Sequence, residues 1–241
     1  MKKINLDKPI WIIGDVHGQY EQLIRLLEKI PKNANICFVG DLIDRGFKSK
    51  EVIKLIKEKK YYCVKGNHED LMINFNKIHK YPFWIKYGGV ETIHSYINIQ
   101  KDILTKGFFQ NIKLLELLKK DTSFIEDIIW MKSLPRIIKF IIPNEKPLYV
   151  SHSSIKLFET DKKILKNNST YNILWNRKSR EEVNFAINIY GHTIVSKENI
   201  FISKSHINID TGAFLNFEYL KQGKGILTAI EYPSFKKIHS N

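Results

Sequence analysis

The chain has 241 residues and a mass of 28.4 kDa, with 43% hydrophobic and 27% charged residues, enough for one substantial core and too little for two domains of ordinary size. This balance excludes a disordered or fibrous protein, and no apolar run approaches the roughly 18 residues that would suggest a membrane span. Thirty-nine basic against 25 acidic residues leave a net charge of +14, which draws attention to polyanions and phosphorylated ligands.

In chain order, Pro9–Ile13 reads as a buried strand ending at Gly14. Leu23, Leu26, Leu27 and Ile30 then repeat at helical spacing until Pro31. A second strand is predicted at Ile36–Val39, a second helix through Val52, Leu55, Ile56 and Lys59, and a third strand at Tyr61–Val64. Three successive strand–turn–helix units predict an α/β architecture with adjacent parallel strands. Cys37 and Cys63 fall in two of these strands and are expected as buried thiols rather than a disulfide.

From Leu71 to about Lys132 the pattern is helical, broken at Gly88-Gly89. Leu114, Leu115, Leu117 and Leu118 share one broad side of a helix, and Phe124, Ile128 and Met131 extend another. Approximately residues 71–132 are therefore expected as a helical insertion within a single domain spanning 1–241. Strands return at Pro147–Val150, 185–190, 200–202 and 207–209. Residues 214–219 and 225–230 are expected to close a hairpin around Lys221-Gln222-Gly223. The short links predict a second sheet with antiparallel pairing.

The polar groups fall where the strands end. Gly14-Asp15-Val16-His17-Gly18, Gly40-Asp41-Leu42-Ile43-Asp44-Arg45-Gly46 and Gly66-Asn67-His68-Glu69 follow the first three strands, and His152 and Gly191-His192 follow later ones. Ligands of α/β sheets gather beyond the carboxyl ends of strands, so the clusters share an edge. Carboxylate, amide and imidazole without thiolate suit Mn, Fe or Zn. Asp15 and His17 can face one ion, Asp41 can bridge two, and Asn67, His152 and His192 can complete the second.

These motifs closely resemble the metallophosphoesterase superfamily, specifically its PPP-type serine/threonine phosphatase branch, with the strongest likeness to the compact bacterial and lambda-phage phosphatases. The resemblance continues through Ser151-His152, Leu174-Trp175-Asn176-Arg177, Gly191-His192-Thr193 and Ile209-Asp210-Thr211-Gly212. It implies a calcineurin-like α/β fold with two mixed β-sheets sandwiched and flanked by helices. The site it implies has Asp15, His17, Asp41, Asn67, His152 and His192 as ligands of two metal ions, manganese first, iron or zinc as alternatives. It implies His68 as the general acid oriented by Asp44, and Arg45 and Arg177 as a clamp on phosphate oxygens, a bidentate task that Lys cannot reproduce.

The implied reaction is hydrolysis of phosphoserine and phosphothreonine in a protein or peptide by direct in-line attack of a metal-bridging hydroxide. No phosphoenzyme is needed, so Ser151, Ser153 and Ser154 read as loop residues. The chain departs from the family at Ser153-Ser154, where a small residue and glycine are frequent. Glu69 is expected to favour the start of a helix, and Asp210 to stabilise a turn. His79, His94, His206 and His239 receive no site role.

Hydrolysis of a dinucleoside tetraphosphate by the same core is the alternative activity. A basic-surface nucleic-acid binder ranks lower, because 34 of the basic residues are scattered lysines and only five are arginines. No membrane partner is expected. The basic Met1-Lys2-Lys3 meets Asp7 rather than an apolar secretion segment, which predicts a soluble, cytoplasmic protein.

Overall fold

A computed structural model describes residues 1–75, 81–97, 116–200, 203–215 and 225–241. The first sheet contains β2 (Ile10–Ile13), β3 (Asn35–Phe38), β4 (Tyr62–Cys63), β9 (Thr228–Tyr232) and β10 (Lys237–His239), in the order β10-β9-β2-β3-β4. Its β2, β3 and β4 run parallel, and β9 runs antiparallel to both neighbours. The second sheet contains β1 (Lys2–Asn5), β5 (Ile137–Ile141), β6 (Leu148–Ser151), β7 (Ile187–Tyr190) and β8 (His206–Asn208), in the order β1-β5-β6-β7-β8.

Period-two alternation sorts the apolar residues of each strand between two layers. Ile10 and Ile12 enter the core between the sheets with Cys37, Phe140, Val150, Ile189 and Ile230. Trp11 and Ile13 face the opposite layer, where α1 (Tyr20–Glu28), α2 (Ser49–Glu58), α3 (Asn67–Ile73), α5 (Val90–Tyr96) and α6 (Thr122–Ser133) cover the first sheet. The other outer face, that of the second sheet, is covered by Ile155, Leu157 and Ile164, the last from α7 (Asp161–Asn167), and by Ile173 of α8 (Thr170–Trp175). Both thiols are free and buried. They lie on opposite faces of the first sheet, Cys37 in the inter-sheet core and Cys63 under the helices.

Several expectations need correction. The second sheet is mainly parallel: only β5–β6 is antiparallel, while β1–β5, β6–β7 and β7–β8 are parallel. The segments after β6 and β7 are long enough to cross over the sheet, and parallel neighbours require such crossovers. The closing hairpin is β9–β10, turning between Tyr232 and Lys237. Phe214 and Leu215 lie in a turn, and the tip at Lys221–Gly223 lies outside the described residues. Ile200 ends a 3₁₀ turn, with 201 and 202 outside the described residues.

Leu118 is buried but Leu117 is half exposed, and Leu114, Leu115 and His79 lie outside the described residues. In α2 the buried face uses Val52, Ile53 and Ile56, whereas Lys59 caps the helix. The strands β1, β5 and β10 lie outside the runs that the sequence pattern marks as strands. At Gly88 the chain does not stop: α4 (Tyr81–Trp84) passes through a π-helical turn, Ile85–Gly89, directly into α5. Gly88 alone in that turn has non-helical torsions, with φ at 104°. Among the described residues no helix is long and apolar enough to cross a membrane.

Candidate dinuclear metal centre

Backbone hydrogen bonds lock the first two loops together. Val16 and His17 donate their N–H groups to the Asp41 carbonyl at 3.0 and 2.9 Å, and Gly18 donates to Leu42. Among the described residues eight non-glycines have positive φ, and His17, Asp41, Asp44, Arg45 and His192 are five of them. Such torsions cost on the order of 1–3 kcal/mol each and persist where surrounding structure over-determines them. Here the strain is concentrated on the side chains singled out for chemistry.

Glu69, whose reach the sequence did not reveal, provides much of that determination. Its carboxylate accepts from the backbone N–H groups of Asp41 at 2.9 Å, Leu42 at 2.8 Å and Gly66 at 2.7 Å. One fully buried side chain of α3 thus braces the ends of two strands. Burial and the Asp41 charge raise its pKa to about 7, against the lowering effect of these three bonds. The close approach depends on Gly66, because a Cβ there would meet Asp41 Oδ1 at 2.1 Å.

Asp41 stands at the centre and its two oxygens look in different directions. Oδ2 lies 3.6 Å from His17 Nε2 and 3.8 Å from His68 Nε2, while Oδ1 lies 3.3 Å from His152 Nε2. Two groups of potential ligands result, His17–Asp41–His68 and Asp41–His152–His192, all buried. Each of three rings uses Nδ1 outside the cluster: His17 toward Ile43 O at 2.8 Å, His152 toward Val39 O at 3.0 Å, and His68 toward Asp44 Oδ2 at 2.6 Å. That outer bond selects the tautomer and turns Nε2 inward.

The second group is crowded with acceptors. His152 Nε2 lies 2.6 Å from Asn67 Oδ1 and 3.2 Å from His192 Nδ1, and the latter lies 2.9 Å from Asn67 Oδ1. His192 Nε2 is buried and, among the described residues, has no hydrogen-bond partner. Burial lowers the pKa of His152, and burial with the His152 charge pushes His192 down to about 3. Burial and the His68 and Arg45 charges hold His17 well below its usual value. Low pKa values leave His17, His152 and His192 as neutral imidazoles, which keep a ring lone pair each.

Asp15 joins the same chamber from another side. Both its oxygens accept from the His192 backbone N–H, at 3.2 and 3.1 Å, and neither belongs to the two ligand groups. Burial and the charges of Asp210 and Asp41 raise its pKa well above the usual range. Asp210, likewise buried, accepts from Gly212 N at 2.9 Å and is pushed up to about 6 by burial, with the Asp41 charge adding to it. Three buried carboxylates, two of them held above their usual range by burial and by neighbouring carboxylate charge, stand beside imidazole lone pairs and make a donor set that fits divalent cations. Two divalent-metal positions are thus laid out around Asp41.

His68 behaves differently from the other rings. Burial works against its charge, but the Asp41 charge and the Asp44 hydrogen bond and charge outweigh it and raise its pKa. Asp44 is fixed in turn: Oδ1 accepts from Trp84 Nε1 at 3.0 Å and Thr92 Oγ1 at 2.6 Å. Those partners come from the helical segment, which no local motif announced. Arg45 reaches both rings of its half, Nη1 to His17 Nε2 at 2.9 Å and Nη2 to His68 Nε2 at 3.1 Å. Its loop closes on Gly88, whose carbonyl accepts from Arg45 N at 3.0 Å, and a Cβ on Gly88 would meet that nitrogen at 2.7 Å.

Arg177 is exposed just beyond α8, and its charge helps to lower the pKa values of His152 and His192. Ser153 ties its loop down: Oγ donates to Asn172 O at 2.8 Å and accepts from Asn176 N at 3.2 Å. His206 lies away from this chemistry, bonded to Ile155 O and Ser205. His239 contacts Thr228, and His94 packs against Phe47.

A family profile described as Calcineurin-like phosphoesterase matches residues 8–198. The serine/threonine-protein phosphatase PP2A-like PPG1 of Candida albicans is similar to this chain at 34% identity over 116 residues, 43% of this chain and 27% of that relative. The match thus spans about a quarter of the relative's length. A solved structure described provisionally as a diadenosine tetraphosphatase superposes with a TM-score of 0.56 at 16% identity, covering 99% of this chain and 96% of the other. The cold-active protein-tyrosine phosphatase of a psychrophilic Shewanella superposes at 0.55 with 18% identity, covering 100% and 82%. At such identities the two structures speak for the fold.

Proposed function

The chain belongs to the calcineurin-like phosphoesterase family, and we propose that it is a metal-dependent phosphomonoesterase of the serine/threonine phosphatase type. The observation that carries this reading is the division of Asp41, one oxygen toward His17 and His68 and the other toward His152. A buried carboxylate facing two imidazole groups suits a pair of cations. Asp15, His17, Asp41, Asn67, His152 and His192 are the residues proposed to hold them. Manganese is the first candidate, and the nitrogen and oxygen donors also accommodate iron or zinc. Bound there, such a pair supplies Lewis-acid stabilisation of phosphoryl charge and an activated water.

The chain's own groups account for the remaining work. The Arg45 fork is geometrically suited to two phosphate oxygens, and Arg177 adds a second guanidinium from the exposed side. His68, with its pKa raised and its Nδ1 engaged by Asp44, can deliver a proton from Nε2 to the departing oxygen. An alkoxide leaves poorly without that proton. Asp44 acts as a positioning residue, since it touches His68 and not the substrate.

The name of the Candida relative supports phosphoserine and phosphothreonine in a protein or peptide as substrate. Near end-to-end superposition on the structure described as a diadenosine tetraphosphatase favours a second reading, cleavage of a dinucleoside tetraphosphate. Manganese-loaded protein offered a phosphoserine peptide and diadenosine tetraphosphate side by side separates the two. Faster release of phosphate from the peptide is expected; much faster nucleotide cleavage replaces the first reading with the second.

A further inference from the structure

A cleft that the metal centre does not use lies on one flank of the sandwich. There β4 ends the first sheet and β1 the second, and Lys2 Nζ of β1 stands 5.9 Å from the centre of the Tyr62 ring of β4. Between these edges and the carboxyl ends of α2 and α6 lies a cavity of about 310 Å³. Tyr61, Tyr62 and Trp130 line it with rings, and Lys2, Lys57 and Lys60 line it with cations. Among the described residues no acidic side chain lines it. Asp127, the acid that reaches Lys57, is already engaged: Oδ1 accepts from Lys57 Nζ and Oδ2 from Tyr96 OH, both at 2.6 Å. Lys2, Lys60 and the flanking Lys132 and Arg136 form no ion pair among the described residues.

The rings are ordered before any ligand arrives. Tyr61 packs on Phe38 at 6.1 Å and Tyr62 on Phe140 at 5.5 Å between ring centroids. Trp130 packs on the helix-side core, and all three rings are half-buried. The turn from α6 to β5 is tied down by Lys65, which donates its N–H to Pro135 O at 2.9 Å and Nζ to Lys132 O at 3.1 Å. Binding costs less when contact groups are already ordered. Lysines on a sheet edge also discourage pairing with another edge, and those near a helix end complement its dipole. Neither role calls for three rings around a cavity.

We propose that this cleft docks an acidic segment of a phosphoprotein substrate, away from the metal centre. The proposal rests on the phosphatase reading for the substrate, and on the cleft alone for the acidic segment. Carboxylates meet the ammonium groups at the rim, and an apolar or aromatic neighbour in the segment covers the rings. A cavity of this size holds a few side chains, whereas grooves that track single-stranded nucleic acid span about 4 nucleotides or more. From the cleft, β4 runs on into Gly66-Asn67-His68, so a docked segment sits on the flank of the strand that carries the site. Tethering there raises the effective concentration of the phosphorylated residue and acts on KM rather than kcat.

The test uses the metal-loaded full chain and a fluorescein-labelled peptide of four glutamates around one phenylalanine, beside its glutamine counterpart. Anisotropy should show wild type binding the glutamate peptide about tenfold more tightly, with the advantage shrinking as salt rises. The double variant Lys2→Glu, Lys60→Glu should lose about tenfold in that affinity, the scale of two or three exposed ion pairs. Its hydrolysis of nitrophenyl phosphate should stay unchanged. For a phosphoserine joined to the glutamate segment by about ten flexible residues, KM should rise by a similar factor in the variant while kcat holds. Equal affinity of wild type for the two peptides overturns the docking site, as does a double variant that matches wild type in affinity or in KM. Tighter binding of oligothymidylate than of the glutamate peptide, lost in the same variant, overturns it in favour of single-stranded nucleic acid. Failure of wild type to hydrolyse either ester breaks the phosphatase reading instead, and the peptide affinities still decide the cleft.

Discussion

The two sides of Asp41 use the same residue type for opposite ends. On one side His68 has a raised pKa and a carboxylate on Nδ1. On the other, His152 and His192 have lowered pKa values, and their nitrogens converge on Asn67 Oδ1. All three rings are buried, so burial is not what separates them. The separation comes from the partner beyond the ring: Asp44 stabilises an imidazolium, whereas the Val39 carbonyl orients a neutral imidazole. On the reading proposed above, His68 is the ring set to move a proton, while His152 and His192 offer lone pairs.

Asp41→Asn should have the largest effect, because that carboxylate serves both halves. Metal content measured by elemental analysis should collapse and turnover should fall to background. Two retained metal equivalents with normal turnover would break the bridging assignment.

The next comparison sets His152→Ala against His68→Asn. His152→Ala should weaken metal binding by more than about 100-fold, since even outer-shell partners contribute on the order of 10–100-fold. His68→Asn should keep its metal and slow phosphoserine hydrolysis by about 10²–10⁴, with nitrophenyl phosphate affected less. Equal losses on both esters would remove the acid role, and metal loss in His68→Asn would erase the distinction between the halves.

Trp84→Phe should have the smallest effect. It removes one donor from Asp44 while Thr92 remains, so denaturant titration should show a loss of about 1.5–3 kcal/mol, the span for a hydrogen bond to a charged group. Turnover of the phosphoserine peptide should fall less than in His68→Asn. A larger fall than that would mean Asp44 does more than position the ring.

Much of this arrangement was legible before any coordinates. Glycine-bounded clusters after three apolar runs located Asp15, His17, Asp41, Asn67 and His68 on one edge, because ligands of parallel strands collect at their carboxyl ends. His152 and His192 were reachable by the same logic. Glu69 and Trp84 were not. An acid three residues into a helix reads as a dipole partner, and nothing local shows that its oxygens span three backbone N–H groups from two loops. Trp84 lies 40 residues from Asp44, beyond any periodicity. Apolar runs do not show whether a strand pairs with its neighbour directly or after a crossover, so the parallel order of the second sheet is not legible in the sequence. The run Ile137–Ile141 is apolar enough to read as a strand, and it forms β5.

The sequence by itself determined which side chains could do chemistry and which edge they would occupy, since strand ends and glycine turns are set by local sterics and by alternation. Only the tertiary structure decided what each side chain became. It brought the Asp15 carboxylate to the His192 backbone N–H, gave His68 the Asp44–Trp84–Thr92 support, and set Tyr87 against Trp175. A pKa, a tautomer and a line of approach depend on groups brought within a few ångströms from distant parts of the chain, and sequence spacing carries no record of those distances.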